Sequence, residues 1–518
     1  MGARLENLLT ASIIAISQDD KHSLPGLLAA MARDEVRGFP AQRPHQRAAW
    51  HMFLVQLAAL ALWTAGRNDL PEAEDDWRAL LLALTGGDAG PWALTGPDDK
   101  PAFMQPPAPK GLNWTPVETP DALDLLITSR NHDLKQQIAR HAEPQDWVFA
   151  LVSLQTSEGY GGRDCYGIAR MNGGFSSRPL MGIAPATKWG GGPDPSAWWA
   201  RDVGRLLTLR AEGDAIALGT AGGPALLWRL DWPEGNQLDL TRLDPWFIEV
   251  CRRVRLETSA AGLTARRTTS SCARIDGKEF KGATGDPWAP ITTEDPPKSL
   301  TLGEGDFTYR RLCNLMFSTD WHLPALAEPG PGEADCLMVA EALSRGNSKT
   351  DGWKSRVIPV PGALRGLFRS ETAGTFARAQ IEEIKVFDEA LRNALALVAT
   401  RGVYREAISR AQYARAYARS TEASTRFDRA ADALFFPALW DRLAASTAEG
   451  KTGEQEAPER FVDPLLQAAK LELTAAFPAI PCAAIYRPRA EARARRSFTA
   501  RLRKAGYLPT FEKEPADV

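Results

Sequence analysis

The sequence predicts an α+β protein in which a large mixed α/β region, residues 1–370, precedes an antiparallel helical bundle, residues 371–518. Up to about residue 370, short apolar runs alternate with proline and glycine, which is typical of strands and helices joined by long loops. Beyond residue 371 proline becomes sparse and apolar residues recur at helical spacing. A chain of 518 residues with 44% hydrophobic content can bury a substantial core, and we expect two to four domains.

The longest apolar run, residues 48–65, is long enough to be a buried helix or a membrane span. His51 and Gln56 interrupt it and no comparable run follows, so a helix buried on all sides in the core is the favoured interpretation. The shorter apolar stretch at residues 8–16 carries Thr10 and Ser12, and no basic region followed by a long apolar run opens the chain. We therefore expect no secretion signal, no membrane partner and a cytoplasmic protein.

Shorter elements follow in the mixed region. Segments 121–126 and 147–154 are predicted to be helical, and segments 214–218 and 225–230 are predicted to be short strands. The sequence VIPVP at residues 357–361 is also typical of a strand. No repeat period and no regular βαβ alternation accompany these segments, so the sequence does not predict a doubly wound or repeat fold.

The C-terminal region is predicted to consist of helices that share a buried face. One apolar stripe defines a long helix through Phe376, Ile381, Ile384, Phe387, Leu391, Leu395 and Val398. Similar stripes run through residues 427–443 and 461–466, and an arginine-bearing helix is predicted from Arg401 to Arg419. The polar segment at residues 446–459 is predicted to be an exposed loop between helices.

Charge and cysteine content exclude several classes of protein. With 62 basic and 64 acidic residues the net charge is only -2, so any contact with nucleic acid has to come from local basic patches. The six cysteines are far apart and form no CxxC pair, which argues against a zinc ribbon and against a disulfide framework. We expect reduced thiols, no metal site and no cofactor.

Few residues are typical of catalysis. Gly450-Lys451-Thr452 resembles the end of a phosphate-binding loop, but Ala445 stands where the first glycine of that motif belongs. His132-Asp133 resembles the dipeptide of metal-dependent phosphohydrolases, although a lone pair is also common as a loop or core histidine. Neither HExxH nor GxSxG occurs. We therefore predict that the chain is not an enzyme.

The segment at residues 155–182, QTSEGYGGRDCYGIARMNGGFSSRPLMG, is dense in glycine, arginine and hydroxyl side chains. We expect it to be exposed, with glycine backbone approaching a ligand closely and with arginines holding phosphates. The arginines in question are Arg163, Arg170 and Arg178. Asp164 stands where the third glycine of GxGxxG belongs, so a dinucleotide fold is not supported. The segment is either a polyanion-binding loop or an ordinary glycine-rich surface loop.

Two further clusters are basic. Residues 344–361, SRGNSKTDGWKSRVIPVP, combine four basic residues with small polar ones, which suits a hairpin touching a nucleic-acid backbone or, equally, a solvated turn. Residues 486–508 carry seven arginines and one lysine against a single glutamate. Within that run Arg493, Arg495 and Arg496 are predicted to make non-specific contacts with DNA phosphates, the alternative being a solvated helix face.

Several separated segments together resemble the CasA family, the large subunit of the type I-E CRISPR Cascade. They are residues 23–62 (SLPGLLAAMARDEVRGFPAQRPHQRAAWHMFLVQLAALAL), PAFMQ at residues 101–105, the glycine-rich segment 155–179, the basic segment 345–361, and the helical C-terminal region. Their order and spacing cover most of the chain. The resemblance implies a non-enzymatic subunit that binds one end of a CRISPR RNA (crRNA)-guided complex, recognises a short motif in duplex DNA, the PAM, and starts unwinding there.

The resemblance also implies residue roles at the PAM. A glycine loop would approach it from the narrow minor groove, where larger side chains do not fit. The corresponding residues are Gly159, Tyr160, Gly161, Gly162 and Arg163. A lysine of the family assists there, and its counterpart is Lys278 or Lys281.

Two other functional segments are implied in the same way. The family's wedge, a hairpin tip that separates base pairs, corresponds to Arg345, Gly346, Asn347, Ser348 and Lys349, whose tip residues are small. The loop that docks on the crRNA end and on the neighbouring backbone subunit corresponds to residues 129–143, with Arg130, Asn131, His132 and Lys135 as contacts.

The implied partners are crRNA, double-stranded target DNA, the backbone, small and crRNA-end subunits of Cascade, and a recruited helicase-nuclease. Two alternatives stay open. The chain could be a metal-dependent nuclease or phosphohydrolase built around His132-Asp133, or a structural scaffold that does not read DNA.

Overall fold

The computed structural model describes residues 6–123, 142–186, 192–213, 218–259, 262–303, 305–330, 334–346, 349–447 and 452–509. The chain divides into two compact units. The first comprises Met1–Phe307 and Thr319–Gly362, and the second comprises Thr308–Ser318 and Ala363–Val518. The second unit thus includes a short helix taken from the middle of the sequence.

The first unit contains helices packed against small sheets. Its helices are α1 (Leu24–Ala32), α2 (Arg47–Thr64), α3 (Glu74–Leu84), α4 (Pro144–Ser157) and α5 (Pro195–Glu212). Nearly every residue of α2 is buried, which confirms the prediction of a core helix at residues 48–65. The predicted helix at residues 147–154 is confirmed within α4. No helix in the described part of the chain is long and apolar enough to cross a membrane.

The strands of the first unit form five small sheets among the described residues. Their bounds are β1 (Ile14–Ala15), β2 (Lys21–His22), β3 (Thr115–Val117), β4 (Leu180–Pro185), β5 (Leu238–Asp239), β6 (Arg253–Ser259), β7 (Gly262–Thr268), β8 (Ile275–Asp276), β9 (Ile291–Thr292), β10 (Trp321–His322), β11 (Cys336–Gly346) and β12 (Lys349–Val360). The three-stranded sheets have the orders β3-β7-β6 and β12-β11-β4, with antiparallel neighbours. β5 and β8 form a short parallel pair.

The second unit is helical. It contains α6 (Tyr309–Phe317), α7 (Glu371–Ala399), α8 (Arg410–Ala418), α9 (Thr421–Thr447), α10 (Thr452–Ala476) and α11 (Arg487–Lys504). The Ser370 hydroxyl caps α7 by accepting a hydrogen bond from the amide of Ala373. Ile384, Phe387 and Leu391 of the predicted stripe are fully buried. The predicted α+β class with a helical C-terminal region is therefore confirmed.

Three local predictions are wrong. Residues 225–230 contain a 3-10 turn at Leu227–Arg229 instead of a strand. The arginine-bearing helix starts only at Arg410, because Arg401 and Gly402 have positive φ angles of 58° and 82° that end the preceding helix. The polar segment 446–459 is not all loop, because α9 extends to Thr447 and α10 begins at Thr452; glutamate, glutamine and alanine are good helix formers.

Candidate nucleic-acid interface

The glycine-rich segment forms a tight turn at residues 161–165. The amide of Gly161 donates to the carbonyl of Cys165 over 2.9 Å, and the amide of Cys165 donates to the carbonyl of Gly162 over 3.1 Å. Gly162 has a φ angle of +125°, a conformation that strongly favours glycine. Arg163 follows at the tip with 94% of its side chain exposed. The turn therefore presents glycine backbone and the exposed guanidinium group of Arg163, whose Nε atom lies 3.7 Å from the Asp164 carboxylate, to solvent.

Only part of the predicted glycine loop is accessible. A Cβ atom at Gly159 would lie 2.5 Å from the carbonyl oxygen of Ser176, and one at Gly167 would lie 2.5 Å from the carbonyl carbon of Gly159. The amides of Gly159 and Tyr160 already donate to the carbonyls of Ser176 and Gly174. Gly159 thus serves close backbone packing, whereas around Gly162 the space for a Cβ atom is open to at least 4 Å.

The expectation that the whole segment is exposed, with Arg170 and Arg178 holding phosphates, is wrong. Arg178 is buried and donates two hydrogen bonds to the carboxylate of Asp286, over 2.6 and 2.7 Å. Arg170 is also buried, donates to the carbonyls of Pro245 and Phe247, and stacks on the Phe247 ring at 3.9 Å. Both guanidinium groups tie the segment to the core, since a buried charge needs partners. Arg163 is the one of the three that phosphate can reach.

Residues 277–282, which include Lys278 and Lys281, lie against the second half of the glycine-rich segment. A Cβ atom at Gly277 would lie 2.9 Å from the Cβ of Ala169, and one at Gly282 would lie 2.5 Å from the backbone of Met171. Between these two glycines Lys278 is exposed and Lys281 is half-buried. The structure therefore places Lys278 and Lys281 beside residues 169–172 of the glycine-rich segment, although the two stretches are more than 100 residues apart in the chain.

The basic segment 344–361 lies in the β11–β12 hairpin. The pairing runs from Cys336 opposite Val360 to Gly346 opposite Lys349. Arg345, Gly346 and Lys349 thus belong to the ends of the two strands, whereas Asn347 and Ser348 lie outside the described residues. A register shift follows Ser344 on β11, and Gly352 on β12 has a φ angle of +105°, which together indicate a β-bulge near the tip.

The root of the hairpin is held by the same segment that carries the glycine turn. β4 pairs with β11 only as far as Glu341. Ser176 and Ser177 then continue the contact, because both donate to the carbonyl of Leu343 and the Ser177 hydroxyl accepts from its amide over 2.8 Å. Beyond Leu343 the strand continues for three residues to Gly346, about 10 Å at 3.3 Å per residue. Glycine turn and hairpin therefore share one anchor.

The predicted crRNA-end contacts Arg130, Asn131, His132 and Lys135 lie outside the described residues. Within the part of the chain that the structure describes, no group of three or more His, Cys, Asp or Glu side chains could hold a metal ion.

The basic C-terminal helix is α11, and its arginines differ in their surroundings. Arg493 donates to the carbonyl of Gly402 over 2.7 Å and stacks on Tyr404. Arg495 lies over the Phe477 ring at 4.9 Å. Arg496 is exposed. Two of the three predicted phosphate contacts thus also stabilise the bundle.

Sequence reasoning missed a second basic surface in the helical unit. A cleft of about 360 Å³ is lined by Arg401, Arg415 and Arg419 together with small and apolar residues. None of these three arginines forms an ion pair with a carboxylate among the described residues. The run of arginines at residues 401–419 was the only sign of this surface in the sequence. The arginines surround one cleft because the chain turns between α7 and α8, at residues 400–409.

A buried carboxyl supports the glycine-rich segment and makes its stability depend on pH. Glu249 is 3% exposed and accepts a hydrogen bond from the amide of Ala169 over 2.7 Å. Burial raises the pKa of Glu249 from 4.5 to about 7, against the opposing effect of that hydrogen bond and of Arg170 and Arg178. Below about pH 7 the neutral carboxyl is therefore the predominant form in the folded protein.

We expect Glu249→Gln to stabilise the protein relative to the parent as pH rises. Since the folded pKa lies above the unfolded one, the favourable contribution of the parent carboxyl is complete below about pH 4.5 and is lost as pH passes through about 7. Glutamine keeps the acceptor and stays neutral, so the gain should grow between pH 5 and pH 8 to on the order of 3 kcal/mol. Denaturant unfolding at several pH values measures it.

The matched control is Glu234→Gln. A hydrogen bond from Ser271 lowers the pKa of Glu234, so its replacement should bring no gain at high pH. A stability difference between Glu249→Gln and the parent that is constant from pH 5 to pH 8 would contradict the prediction.

The fold resembles known structures over nearly its full length. Comparison with protein-family models and with curated proteins found no match. Among solved structures, CasA (Cse1) of Thermus thermophilus is 16% identical, with a TM-score of 0.63 over 97% of this chain and 100% of that one. Cse1 of Acidimicrobium ferrooxidans is 15% identical, with a TM-score of 0.63 over 97% and 99% of the two chains. Cse1 of Thermobifida fusca is 14% identical, with a TM-score of 0.60 over 96% and 98%.

The chain therefore has the fold of a CRISPR-associated protein. More particularly, it has the Cse1 (CasA) fold, since the similarity covers 97% of this chain and 99 to 100% of those solved structures. The resemblance inferred from sequence is confirmed at the level of the fold.

Proposed function

We propose that this chain is the DNA-binding large subunit of a type I-E CRISPR RNA-guided surveillance complex. In this role it recognises the PAM in duplex DNA, starts target unwinding and supports recruitment of the helicase-nuclease. The observation that carries the proposal is the shared anchor of the glycine turn and the long hairpin at Leu343. Two elements held on one strand suit a protein that reads a short duplex motif and opens the helix beside it.

The glycine turn is the proposed PAM-reading element. Gly161 and Gly162 offer backbone without side chains to the minor groove, and Arg163 can contact a neighbouring phosphate. Lys278 and Lys281 are proposed to assist from the adjoining segment. Gly159 and Tyr160 are proposed to support the turn, since their amides already donate to the carbonyls of Ser176 and Gly174.

The hairpin from Arg345 to Lys349 is the proposed wedge, and the loop containing Arg130, Asn131, His132 and Lys135 is the proposed docking element for the crRNA end and the backbone subunit. The proposed division of labour assigns these loops to residues 1–370 and leaves residues 371–518 to non-specific DNA contact. The remaining proposed partners are the small and crRNA-end subunits of the complex.

The test is assembly of the complex from this chain, a guide RNA and the remaining subunits of the same system. The assembled complex should carry RNA of one defined length and bind duplex targets with a preference for one short flanking motif. Binding that is equal for every flanking sequence would favour the scaffold alternative. Magnesium- or manganese-dependent cleavage by the isolated chain, lost in His132→Ala, would favour the nuclease alternative.

We expect the phosphate contacts of the helical unit to divide between α11 and the cleft. Arg496→Ala and the pair Arg415→Ala, Arg419→Ala should weaken binding of all targets alike and lower the slope of log K against log salt by about 0.7 to 0.9 per lost contact. Arg493→Ala and Arg495→Ala should also lower the melting temperature, because they lose contacts within the bundle. Binding titrations between 50 and 300 mM salt measure the slopes.

The exposed Arg378, which donates to Thr375 one turn away on α7, provides the control replacement outside both surfaces. Salt slopes that are unchanged in the Arg415, Arg419 and Arg496 variants would show that these side chains face solvent or another subunit.

A further inference from the structure

The glycine turn at residues 161–165 lies against the side chain of Arg252, the residue that precedes β6. The Nη2 atom of Arg252 donates to the carbonyl of Gly159 over 2.9 Å and lies 2.9 Å from the carboxylate of Glu158. Both charged side chains are only 11% exposed. The guanidinium group therefore ties the residues that lead into the turn to a distant segment of the chain.

The same nitrogen atom lies directly beneath Gly161. A Cβ atom at Gly161 would be 3.0 Å from Nη2 of Arg252, closer than ordinary van der Waals contact, whereas around Gly162 the space is open to at least 4 Å. The two adjacent glycines thus serve different purposes. Gly161 lets the guanidinium group approach the backbone, and Gly162 leaves the tip of the turn without a side chain.

Arg252 is itself fixed by Gln155, which is fully buried near the end of α4. The side-chain oxygen of Gln155 accepts from the amides of Cys251 and Arg252 over 3.0 and 2.8 Å. Its side-chain nitrogen donates to the carbonyls of Met104 and Arg252, each over 2.9 Å. These four bonds use the full hydrogen-bonding capacity of the amide group. Both the amide and the carbonyl of Arg252 are held, so its side chain extends from a fixed position.

The other anchors of the turn act on a different side of the backbone. The amides of Gly159 and Tyr160 donate to the carbonyls of Ser176 and Gly174. Arg252 instead holds the carbonyl of Gly159. A loop that is held on two sides is preorganised, because it has less conformational freedom to lose when it meets a ligand.

We infer that Arg252 is a positioning residue for PAM reading, which fixes the turn in the arrangement that enters the minor groove. Its guanidinium group lies beneath the turn, and its charge is balanced by Glu158, so it acts through geometry and not by attracting phosphate. This inference rests on the function proposed above, because it concerns how the PAM-reading turn is held.

The test uses the complex assembled with the double variant Arg252→Gln, Glu158→Gln. Replacing both residues leaves no buried carboxylate without its cation, which would otherwise destabilise the fold. The ratio of affinities for duplexes with and without the preferred flanking motif should fall about ten-fold, since the turn loses a charge-assisted anchor. Affinity for a single-stranded target, which needs no PAM, should change by less than about two-fold.

Arg252→Lys is the conservative variant. Both contacts of Arg252 with the residues leading into the turn are made by Nη2, and a lysine ammonium group offers three donors and the same charge. This variant should therefore keep the ratio of affinities within about three-fold of the parent value.

The matched control is Arg210→Gln, Asp244→Asn. This ion pair is similarly buried, with side chains 10% and 3% exposed and an Nη2–Oδ2 distance of 2.7 Å, but it joins α5 to Asp244 and does not hold the turn. The control should lower the melting temperature without changing the ratio of affinities.

Hydrogen exchange of the isolated full-length chain gives a second measurement that needs no DNA. The amides of residues 158–165 should exchange about ten-fold faster in the double variant and at the parental rate in the control. Should the double variant fail to fold, Gly161→Ala replaces it in both measurements. The added Cβ atom displaces the guanidinium group from Gly159 without removing its charge.

A loss of PAM preference with faster exchange in the turn, both restored in Arg252→Lys, supports the inference. A parent complex that discriminates no flanking motif would overturn the proposed function and the inference with it. A parent that discriminates, together with a double variant that discriminates equally well, overturns the inference alone. Equal weakening of duplex and single-stranded targets, or an equal loss of preference in the control, also overturns it.

Discussion

Replacing Gly162 with valine is expected to abolish the preference of the assembled complex for PAM-bearing duplex DNA. Gly162 has a φ angle of +125° at the tip of an exposed turn, and a Cβ atom there would meet nothing within 4 Å in the protein itself. The branched side chain would instead occupy the space into which the minor groove must enter, which is only about 6 Å wide. The altered backbone of the tip adds to this steric effect, because valine disfavours a positive φ angle.

The measurement compares the affinity of the complex for duplexes with and without the preferred flanking motif. In the parent the ratio should be large, and in Gly162→Val it should approach one. Pairing of the guide with a single-stranded target should be unaffected, since that target needs no PAM reading.

Gly262→Val provides the matched control. Gly262 has a similar φ angle of +114° and similarly open space, but it lies at the β6–β7 turn. This variant shares the backbone strain and should keep the PAM preference. A Gly162→Val complex that discriminates as well as the parent would remove the glycine turn from PAM reading.

Replacing Asn347, Ser348 and Lys349 together with alanine is expected to leave PAM association intact and to slow strand separation. Opening the first base-pair steps costs a few kcal/mol, which an inserted hairpin tip helps to offset. Each 1.4 kcal/mol lost from that assistance slows opening about ten-fold. We therefore expect R-loop formation to slow by about ten- to one-hundred-fold. Stopped-flow measurement with a fluorescent base analogue beside the PAM follows the opening.

A target with a pre-melted bubble beside the PAM separates this defect from that of Gly162→Val. The bubble removes the cost of opening, so it should restore the rate in the 347–349 variant. It should not restore PAM discrimination in Gly162→Val. Failure of the bubble to speed the 347–349 variant would assign strand separation to another part of the subunit.

The sequence was most informative where one local pattern decides the structure. The apolar run at residues 48–65 became the buried helix α2, the stripe from Phe376 to Val398 became α7, and VIPVP became part of β12. In each case side-chain periodicity or length sets the element without help from distant residues. The exposed glycine turn at residues 161–163 was predictable for the same reason, since adjacent glycines before a charged residue favour a turn.

The sequence was least informative where a role depends on distant partners. Arg178 is separated from Asp286 by 108 residues, and no local signal distinguishes a buried, paired arginine from a phosphate ligand. Gly159 likewise resembles Gly162 in sequence, but the neighbouring carbonyl of Ser176 gives it a packing role. The cleft lined by Arg401, Arg415 and Arg419 combines residues from positions 399 to 481, so only the tertiary structure makes it visible.

The segment that carries the glycine turn is attached through Ser176 and Ser177 to Leu343, the residue from which the hairpin end extends. This common attachment fixes the spacing between the two elements. In the proposed function, the distance from the base pairs that are read to the first pair that is opened therefore depends on the length of strand between Leu343 and the tip. One residue added to each strand lengthens the hairpin by about 3.3 Å, close to the rise of one base pair, about 3.4 Å. In the proposed function, the number of residues in β11 and β12 would thus set the position where unwinding begins, independently of which bases form the PAM.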